Sequence, residues 1–228
     1  MVRTVTRFIA KLILAFLVLS LLLVLLFRFV PVPVTATMLM DPEVWERGGV
    51  TKDWESLSNI DRDMVRAVIA AEDGKFCSHD GFDAEAIAKA AALNAQGGRL
   101  RGGSTISQQT AKNVFLWQGG GYFRKGLEAW FTVLIEQVWG KRRIMEVYLN
   151  VAETGLATYG VEAGARRYFG KSAASLTATE AARMAVALPL PKERSVKSPG
   201  GWLRRHGNTI AARVSVVRRD GLDACVYD

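Results

Sequence analysis

The feature that most limits what this chain can fold into is a run of apolar residues close to its N-terminus. The run LILAFLVLSLLLVLLF covers residues 12–27, and Phe29 and Val30 extend it past Arg28. A helix needs roughly 20 mostly apolar residues to cross the hydrocarbon core of a bilayer. We therefore predict a membrane anchor over residues 12–30.

The charges that flank this run predict its orientation. Arg3, Arg7 and Lys11 precede it, whereas only Arg28 follows closely. Because positive residues accumulate on the cytoplasmic side of a span, we expect residues 1–11 in the cytoplasm and the rest outside, as in a single-pass protein of the cytoplasmic (inner) membrane. A cleaved signal peptide is the alternative. The run is longer than a usual signal region, and VPVPVTATM after it lacks a convincing A-x-A site.

The rest of the sequence has room for one domain. The stiff PVPV segment predicts a linker over residues 31–44, followed by a domain over residues 45–228. The net charge of +8 suits an anionic partner, such as lipid headgroups or a phosphorylated substrate. Since the domain is expected outside the cytoplasm, we expect no nucleic acid. Cys77 and Cys225 are far apart, and the sequence leaves open whether they pair.

Most of this domain has the periodicity of helices. Apolar residues recur three or four positions apart in segments that begin with capping residues, such as Ser58, Asp83 and Thr177. The longest such segment covers residues 122–139, and alternation typical of strands is scarce. We therefore predict a mainly α domain.

The segment IAAEDGKFCSHDGF, residues 69–82, places two acids at the end of a predicted helix. Glu72 follows Val68 and Ile69 by four and three positions, so it continues their apolar face, while Asp73 is rotated off it. A carboxylate on a buried face has a raised pKa and can act as a base near neutral pH. The alternative is an acid at a fraying helix end that reaches water.

The segment RLRGGSTISQQTAKN, residues 99–113, combines glycines, hydroxyls, amides and a lysine at a helix start. Backbone N–H groups at such a start attract an anion. Thr105 and Gln108 also match a capping box, which explains Gln108 without any ligand. It does not explain Gln109 or Lys112, and the segment is a candidate phosphate cradle.

The segment RKGLE contains two cations and an acid within one helical turn. Arg124, Lys125 and Glu128 could form a solvated ion pair worth only about 0.2–0.5 kcal/mol. Their functional interpretation requires Glu128 to lie near Glu72 in space and to be held ionised by the two cations.

With KRRIMEVYLN and GVEAGARRYFGKSAASLTATEAA, these segments occur in an order that resembles the successive motifs of the peptidoglycan glycosyltransferase family. This family is related to the glycosyltransferase domain of class A penicillin-binding proteins. The resemblance covers about residues 45–205, and five motifs in order are a specific signal. It implies a lysozyme-like, mainly α fold with a cleft near the membrane, and polymerisation of lipid II.

The resemblance also implies a role for each polar residue. Glu72 would take the proton from the 4-hydroxyl of the acceptor GlcNAc, whose oxygen attacks the anomeric carbon of the lipid-linked chain and releases undecaprenyl diphosphate. Glu128 would be a second acid that helps arrange the diphosphate. No cofactor is certain, and a divalent cation such as Mg²⁺ near Glu128 is left open. The residues that would bind the donor's diphosphate and sugars are Ser104, Gln109, Lys112, Arg124 and Lys125.

The implied partners are lipid II, the nascent glycan strand and membrane lipid, and proteins of cell-wall synthesis or division are left open. Two positions depart from the family pattern. Gly120 stands where relatives often carry an arginine, and the acid expected near Ala157 is absent.

Two rival functions come from other classes. A membrane-anchored lysozyme-like hydrolase or lytic enzyme also places two acids across a sugar cleft. A non-catalytic wall-binding protein of the same fold would need neither. The cations favour glycosyl transfer because a hydrolase has no diphosphate to hold, and the presence of both Glu72 and Glu128 argues against a scaffold.

Overall fold

The computed structural model describes residues 2–96 and 102–227, and there the chain is mainly α with one long apolar helix at its N-terminus, as the sequence predicts. Residues 97–101, which include the start of the segment 99–113, lie outside the described residues. The helices are α1 Val2–Phe29, α2 Ala36–Leu39, α3 Pro42–Glu46, α4 Arg62–Glu72, α5 Ala84–Ala95, α6 Ile106–Phe115, α7 Gly121–Val138, α8 Gly140–Val151, α9 Val161–Phe169, α10 Ala178–Ala187, α11 Gly201–Arg219 and α12 Ala224–Tyr227.

Three short strands form a small sheet in the order β1-β3-β2. The strands are β1 Thr51–Lys52, β2 Glu153–Gly155 and β3 Thr158–Tyr159. β1 runs parallel and β2 antiparallel to β3. The sheet therefore brings the β2–β3 hairpin, which follows α8, next to β1, which follows α3.

The helices pack around one core. α4, α10 and α11 pack together, and α6 packs against α7 and α8. The inward face of α11 is apolar at helical spacing. Its buried members include Leu203, Ile210, Val214 and Val217. This core fixes α4 and α6, the two helices whose ends border the cleft described below.

α1 is long and apolar enough to cross a membrane. Its C-terminal half also lies against the domain. The indole N–H of Trp130 in α7 donates to Ser20 Oγ (3.1 Å), and that of Trp139 donates to the carbonyl of Val24 (2.7 Å). The guanidinium of Arg143 donates to the carbonyl of Phe27. The domain is therefore held directly against the C-terminal half of the anchor helix.

The segment predicted as a linker, residues 31–44, also lies against the domain. It contains α2 and the start of α3. Thr37 Oγ1 donates to the carbonyl of Leu116 (3.2 Å), and Asp41 accepts from the hydroxyl of Tyr159 (2.7 Å). This segment therefore forms part of the wall of the domain.

One predicted helix start is wrong. Ser58 lies in a 3₁₀ turn, Leu57–Asn59, and α4 begins at Arg62 with Asp61 as its N-cap. The Asp61 side chain accepts from the backbone N–H of Asp63 (2.8 Å). The capping group is thus an acid three residues later, because Ile60 is extended and separates the turn from the helix.

Cys77 and Cys225, whose pairing the sequence leaves open, form a disulfide bond. It links the short turn after α4 to the last helix, α12. The bond joins two segments that are 148 residues apart in the chain.

Candidate active site

A cleft of about 460 Å³ lies between the end of α4, the start of α6 and the first turns of α7. Gly102, Gln118 and Pro189 complete parts of its wall. All seven residues predicted from sequence line it: Glu72, Ser104, Gln109, Lys112, Arg124, Lys125 and Glu128. The three motifs therefore meet in one place, although their roles as site residues stay a prediction.

Glu72 is the last residue of α4 and is half-buried at the edge of the cleft. Its Oε2 accepts a hydrogen bond from the side-chain amide of Gln109 (3.0 Å). Burial raises the pKa of Glu72, and the negative charge of Asp73 adds to this effect. The amide of Gln109 and the positive charges of Arg194 and Lys112 oppose it without cancelling it. The raised pKa makes this carboxylate a stronger base than an ordinary exposed glutamate.

The more deeply buried acid of the pair is Asp73, at 7% exposure, which the helical pattern did not predict. α4 ends at Glu72, and the backbone of Asp73, the C-cap, leaves helical geometry and turns its side chain inward. Its carboxylate accepts from the backbone N–H of Ile106 (2.9 Å) and lies 3.0 Å from Nε2 of His79. Asp73 therefore ties the end of α4 to the start of α6.

The start of α6 has the predicted capping box, in which Thr105 and Gln108 each satisfy the other's backbone. The hydroxyl of Thr105 also donates to the carbonyl of Gly81 (2.7 Å). A Cβ at Gly103 would come within 3.0 Å of the carbonyl oxygen of Ala86, so glycine there lets the chain pass close to α5. The capping box thus accounts for Gln108, and Gln109 is free to face Glu72.

Glu128 is buried in α7, at 2% exposure, and is held between two cations. Arg124 Nη1 lies 2.6 Å from its Oε2, and Lys125 Nζ contacts its Oε1. Lys125 also donates to Ser104 Oγ (3.0 Å). Burial of this carboxylate excludes the alternative of a solvated surface pair. Lys112 also lines the cleft. The positively charged side chains there therefore outnumber the acids.

Lys112 faces the same cleft from α6. Burial lowers its pKa, and the charges of Arg124 and Lys125 act in the same direction, whereas Glu128 opposes them. Burial and neighbouring positive charges disfavour the charged form of Lys112. An anionic ligand in the cleft would stabilise that charged form, because it would offset the excess of positive charge.

The cleft continues into a second cavity of about 260 Å³, which shares Gln109 and Lys112 with the first. Its far wall carries Glu153 and Lys192, which sequence reasoning did not select. Lys192 Nζ lies 2.6 Å from Asp41 and 3.4 Å from Glu153. Burial raises the pKa of Glu153. In the sequence, Glu153 stands two residues after the end of α8, and Lys192 directly follows the LPLP segment.

The two departures from the family pattern have structural counterparts. Gly120 has a φ of +83°, and a Cβ there would lie 2.9 Å from Arg124 Cβ and 3.0 Å from Trp117 Nε1. The loop thus excludes a side chain at this position. Ala157 has a φ of +50°, which is uncommon for a residue other than glycine. Its carbonyl accepts from the N–H of Thr51 (2.9 Å) and so links β1 to the turn before β3.

The residues around Glu128 do not fit a metal ion. Within residues 2–96 and 102–227, there is no group of three or more His, Cys, Asp or Glu side chains that could hold one. Both oxygens of Glu128 are engaged by Arg124 and Lys125, which a cation would have to displace. We therefore derive no step that depends on a divalent ion.

Comparisons with known proteins identify the family of this chain. The family model described as transglycosylase matches residues 43–215. The chain is 52% identical to the biosynthetic peptidoglycan transglycosylase of Caulobacter vibrioides, over 98% of this chain and 99% of that protein. It is 49% identical to the protein of that name from Rhodospirillum centenum, over 92% of each chain. The counterpart from Pseudomonas putida (strain GB-1) is 47% identical over 96% of this chain and 98% of its own length.

These matches confirm the recognised family, the mainly α, lysozyme-like fold class and the prediction of a glycosyl-transferring enzyme. The matched region begins at α3 and ends within α11, so it contains every residue that lines the first cleft. The chain belongs to the transglycosylase family.

Proposed function

We propose that this protein polymerises peptidoglycan by extending glycan strands from lipid II. It transfers the lipid-linked glycan to the 4-hydroxyl of the acceptor GlcNAc and releases undecaprenyl diphosphate. One observation carries the proposal: a half-buried carboxylate with a raised pKa and an excess of positive charge line the same cleft. The relatives' name, biosynthetic peptidoglycan transglycosylase, supports the same reaction.

Glu72 acts as the base in this proposal. Its carboxylate takes the proton of the acceptor's 4-hydroxyl, and the sugar oxygen then attacks the anomeric carbon of the donor. The amide of Gln109 holds one oxygen of Glu72, so the other is free to face the acceptor. General base catalysis of this kind contributes typically about 10²- to 10⁴-fold in rate.

The opposite side of the cleft stabilises the leaving diphosphate. Lys112, Arg124 and Lys125 supply positive charge, and Ser104 supplies a hydroxyl within reach of Lys125. Donors and charges fixed in place before reaction stabilise developing negative charge without reorganising. Glu128 orients Arg124 and Lys125 through direct ion pairs and thereby sets the shape of the diphosphate site.

We also propose that the domain lies outside the cytoplasmic membrane, with the N-terminus inside and lipid and nascent glycan as its partners. Arg3, Arg7 and Lys11 before the span support this orientation. The disulfide between Cys77 and Cys225 supports it independently, because such bonds persist in oxidising compartments.

A hydrolase or lytic enzyme is the rival function. A hydrolase would use the two acids but would have no need of the cations around Glu128. Glu128 is buried between those cations and is not free to act on a sugar. The arrangement therefore favours transfer from a diphosphate-linked donor.

Product analysis with lipid II tests the proposal. Purified full-length protein in detergent, incubated with labelled lipid II, should yield long glycan strands that muramidase degrades, together with free undecaprenyl diphosphate. Cleavage of preformed peptidoglycan without strand synthesis would support the hydrolase instead. Glu85→Gln, which alters an exposed glutamate outside the cleft, is the matched control and should polymerise normally.

A further inference from the structure

A disulfide bond joins the loop that follows Glu72 to the last helix of the chain. Cys77 lies in the 3₁₀ turn Phe76–Ser78, a few residues after Glu72, and Cys225 lies in α12. The two Cα atoms are 5.4 Å apart. The proposed chemistry uses neither cysteine, so the place of this bond beside the catalytic segment requires its own explanation.

The loop after Glu72 determines where that carboxylate stands relative to α6. At one end of the loop, Asp73 accepts from the backbone N–H of Ile106, the first residue of α6 (2.9 Å). At the other end, the carbonyl of Gly81 accepts from the hydroxyl of Thr105, the N-cap of α6 (2.7 Å). α6 in turn carries the amide that holds the carboxylate of Glu72. A shift of the loop would therefore change the distance between α6 and the acid.

The other partner of the disulfide is fixed to the body of the domain. α12 packs on α8, and Arg142 of α8 donates to the carbonyl of Val226 (3.0 Å). Just before α12, Asp223 accepts from Nε of Arg66 in α4 (2.8 Å) in a pair that is largely buried. Cys225 is thus attached to a rigid support, and the bond transmits this restraint to the loop.

We infer that Cys77 and Cys225 are positioning residues, and that their oxidation fixes the loop 73–81 and so holds the carboxylate of Glu72 against α6. This inference rests on the proposed function, in which Glu72 is the base. In forming the bond, the two thiols give two electrons and two protons to an external disulfide, which becomes two thiols. Oxidants of this class work outside the cytoplasm.

Loss of the bond should expose Glu72 to water. The charged groups that face Glu72 are Asp73, Lys112 and Arg194, and burial is the main cause of its raised pKa. If the loop moves away, water enters and the pKa falls towards the ordinary value of a glutamate. The acid would then be a weaker base and would be less well placed.

The test compares the oxidised full-length protein with the double variant Cys77→Ser/Cys225→Ser, both in detergent. Carbon NMR gives the pKa of Glu72, with Glu72→Gln to assign the signal. Amide hydrogen exchange reports on residues 74–81, and thermal melts report on the whole fold. Dithiothreitol added to each protein provides the control, because the double variant has no bond to reduce.

We expect faster exchange in residues 74–81, a lower pKa of Glu72 and a cooperative melt in the double variant. Its turnover number on lipid II should fall about 10- to 100-fold, as expected for a misplaced catalytic group. An unchanged pKa and unchanged exchange would overturn the inference, and so would uniform loosening of the whole domain, which would mark the bond as a general staple. The NMR and exchange measurements need no substrate, so they decide the matter even if the oxidised protein does not polymerise lipid II.

Discussion

At the scale of single residues, the site depends on two carboxylates in different surroundings. Glu72 is half-buried at a helix end, and an amide is its one side-chain hydrogen-bond partner among the contacts the structure describes. Glu128 is buried and is paired with both Arg124 and Lys125. Acids in such different environments are suited to different roles, one in proton transfer and the other in charge placement.

Glu72→Gln should leave the protein at least as stable as the parent at neutral pH. Burial raises the pKa of Glu72 in the folded state. Its contribution to stability is therefore full below the unfolded pKa and is lost as the pH rises through the folded pKa. Glutamine carries no charge and avoids this loss. In thermal melts between pH 4 and 8, the Tm of the variant should rise relative to that of the parent as the pH increases. A variant Tm far below that of the parent at every pH would contradict this.

Glu128→Gln should impair the reaction through the diphosphate site. The neutral side chain no longer balances Arg124 and Lys125, and both cations lose their common partner. Because the proposed function has these cations bind the donor's diphosphate, we expect kcat/KM for lipid II to fall by at least about tenfold, within the range for loss of an electrostatic contact. Steady-state kinetics measure this, with Glu85→Gln as a control expected to match the parent. If the kinetics of Glu128→Gln equal those of the parent, Glu128 has no role in the diphosphate site.

At the scale of elements, much could be predicted from local pattern, and what failed depended on tertiary contacts. The caps at Thr105 and Thr177 and the inward face of α11 follow from sequence spacing and are present. The burial of Asp73 could not be predicted, since it depends on a backbone turn and on the N–H of Ile106, which is 33 residues away. The packing of segment 31–44 against the domain could not be predicted either, because its contacts are with residues far along the chain.

The same reasoning applies to the candidate site. Local pattern made the three segments that hold the seven cleft residues candidates, and only the order of the motifs assigned these residues to one site. Glu153 and Lys192 escaped notice because each looks like an ordinary charged residue until the fold places them on the same wall. The disulfide could not be predicted either, since only the fold brings α12 to the turn after α4.

The start of α7 should contact lipid. Tyr122 is 96% exposed and Phe123 is 74% exposed, next to three glycines with positive φ. α7 also packs against α1, the predicted membrane span, so we expect these aromatic side chains to lie beside the bilayer. A Tyr122→Trp variant in liposomes should show more quenching by brominated lipid than the parent does. Quenching no greater than that of the parent would place this turn in water.

At the scale of the whole molecule, the anchor and the domain form one packed unit. Trp130 and Trp139 donate to α1, and Arg143 donates to carbonyls at its end. If α1 spans the membrane as predicted, the proposed lipid-linked substrate would meet the cleft of a domain that is packed against the span.

The orientation of this unit is testable through its C-terminus. An enzyme reporter that is active only outside the cytoplasm, fused after residue 228, should be active in cells. The reason is the positive charge before the span at Arg3, Arg7 and Lys11. As a control, the same reporter fused before residue 1 should be inactive. An active N-terminal fusion together with an inactive C-terminal fusion would show that the topology is the opposite of the one proposed.

The most direct test of the account is the initial rate of lipid II polymerisation by Glu72→Gln. The substitution keeps the shape and the hydrogen bond to Gln109 but removes the base. We expect the rate to fall on the order of 10²- to 10⁴-fold, the usual contribution of a general base, while thermal melts show a folded protein. Near-parental polymerisation by folded Glu72→Gln would contradict the central claim that this carboxylate activates the acceptor.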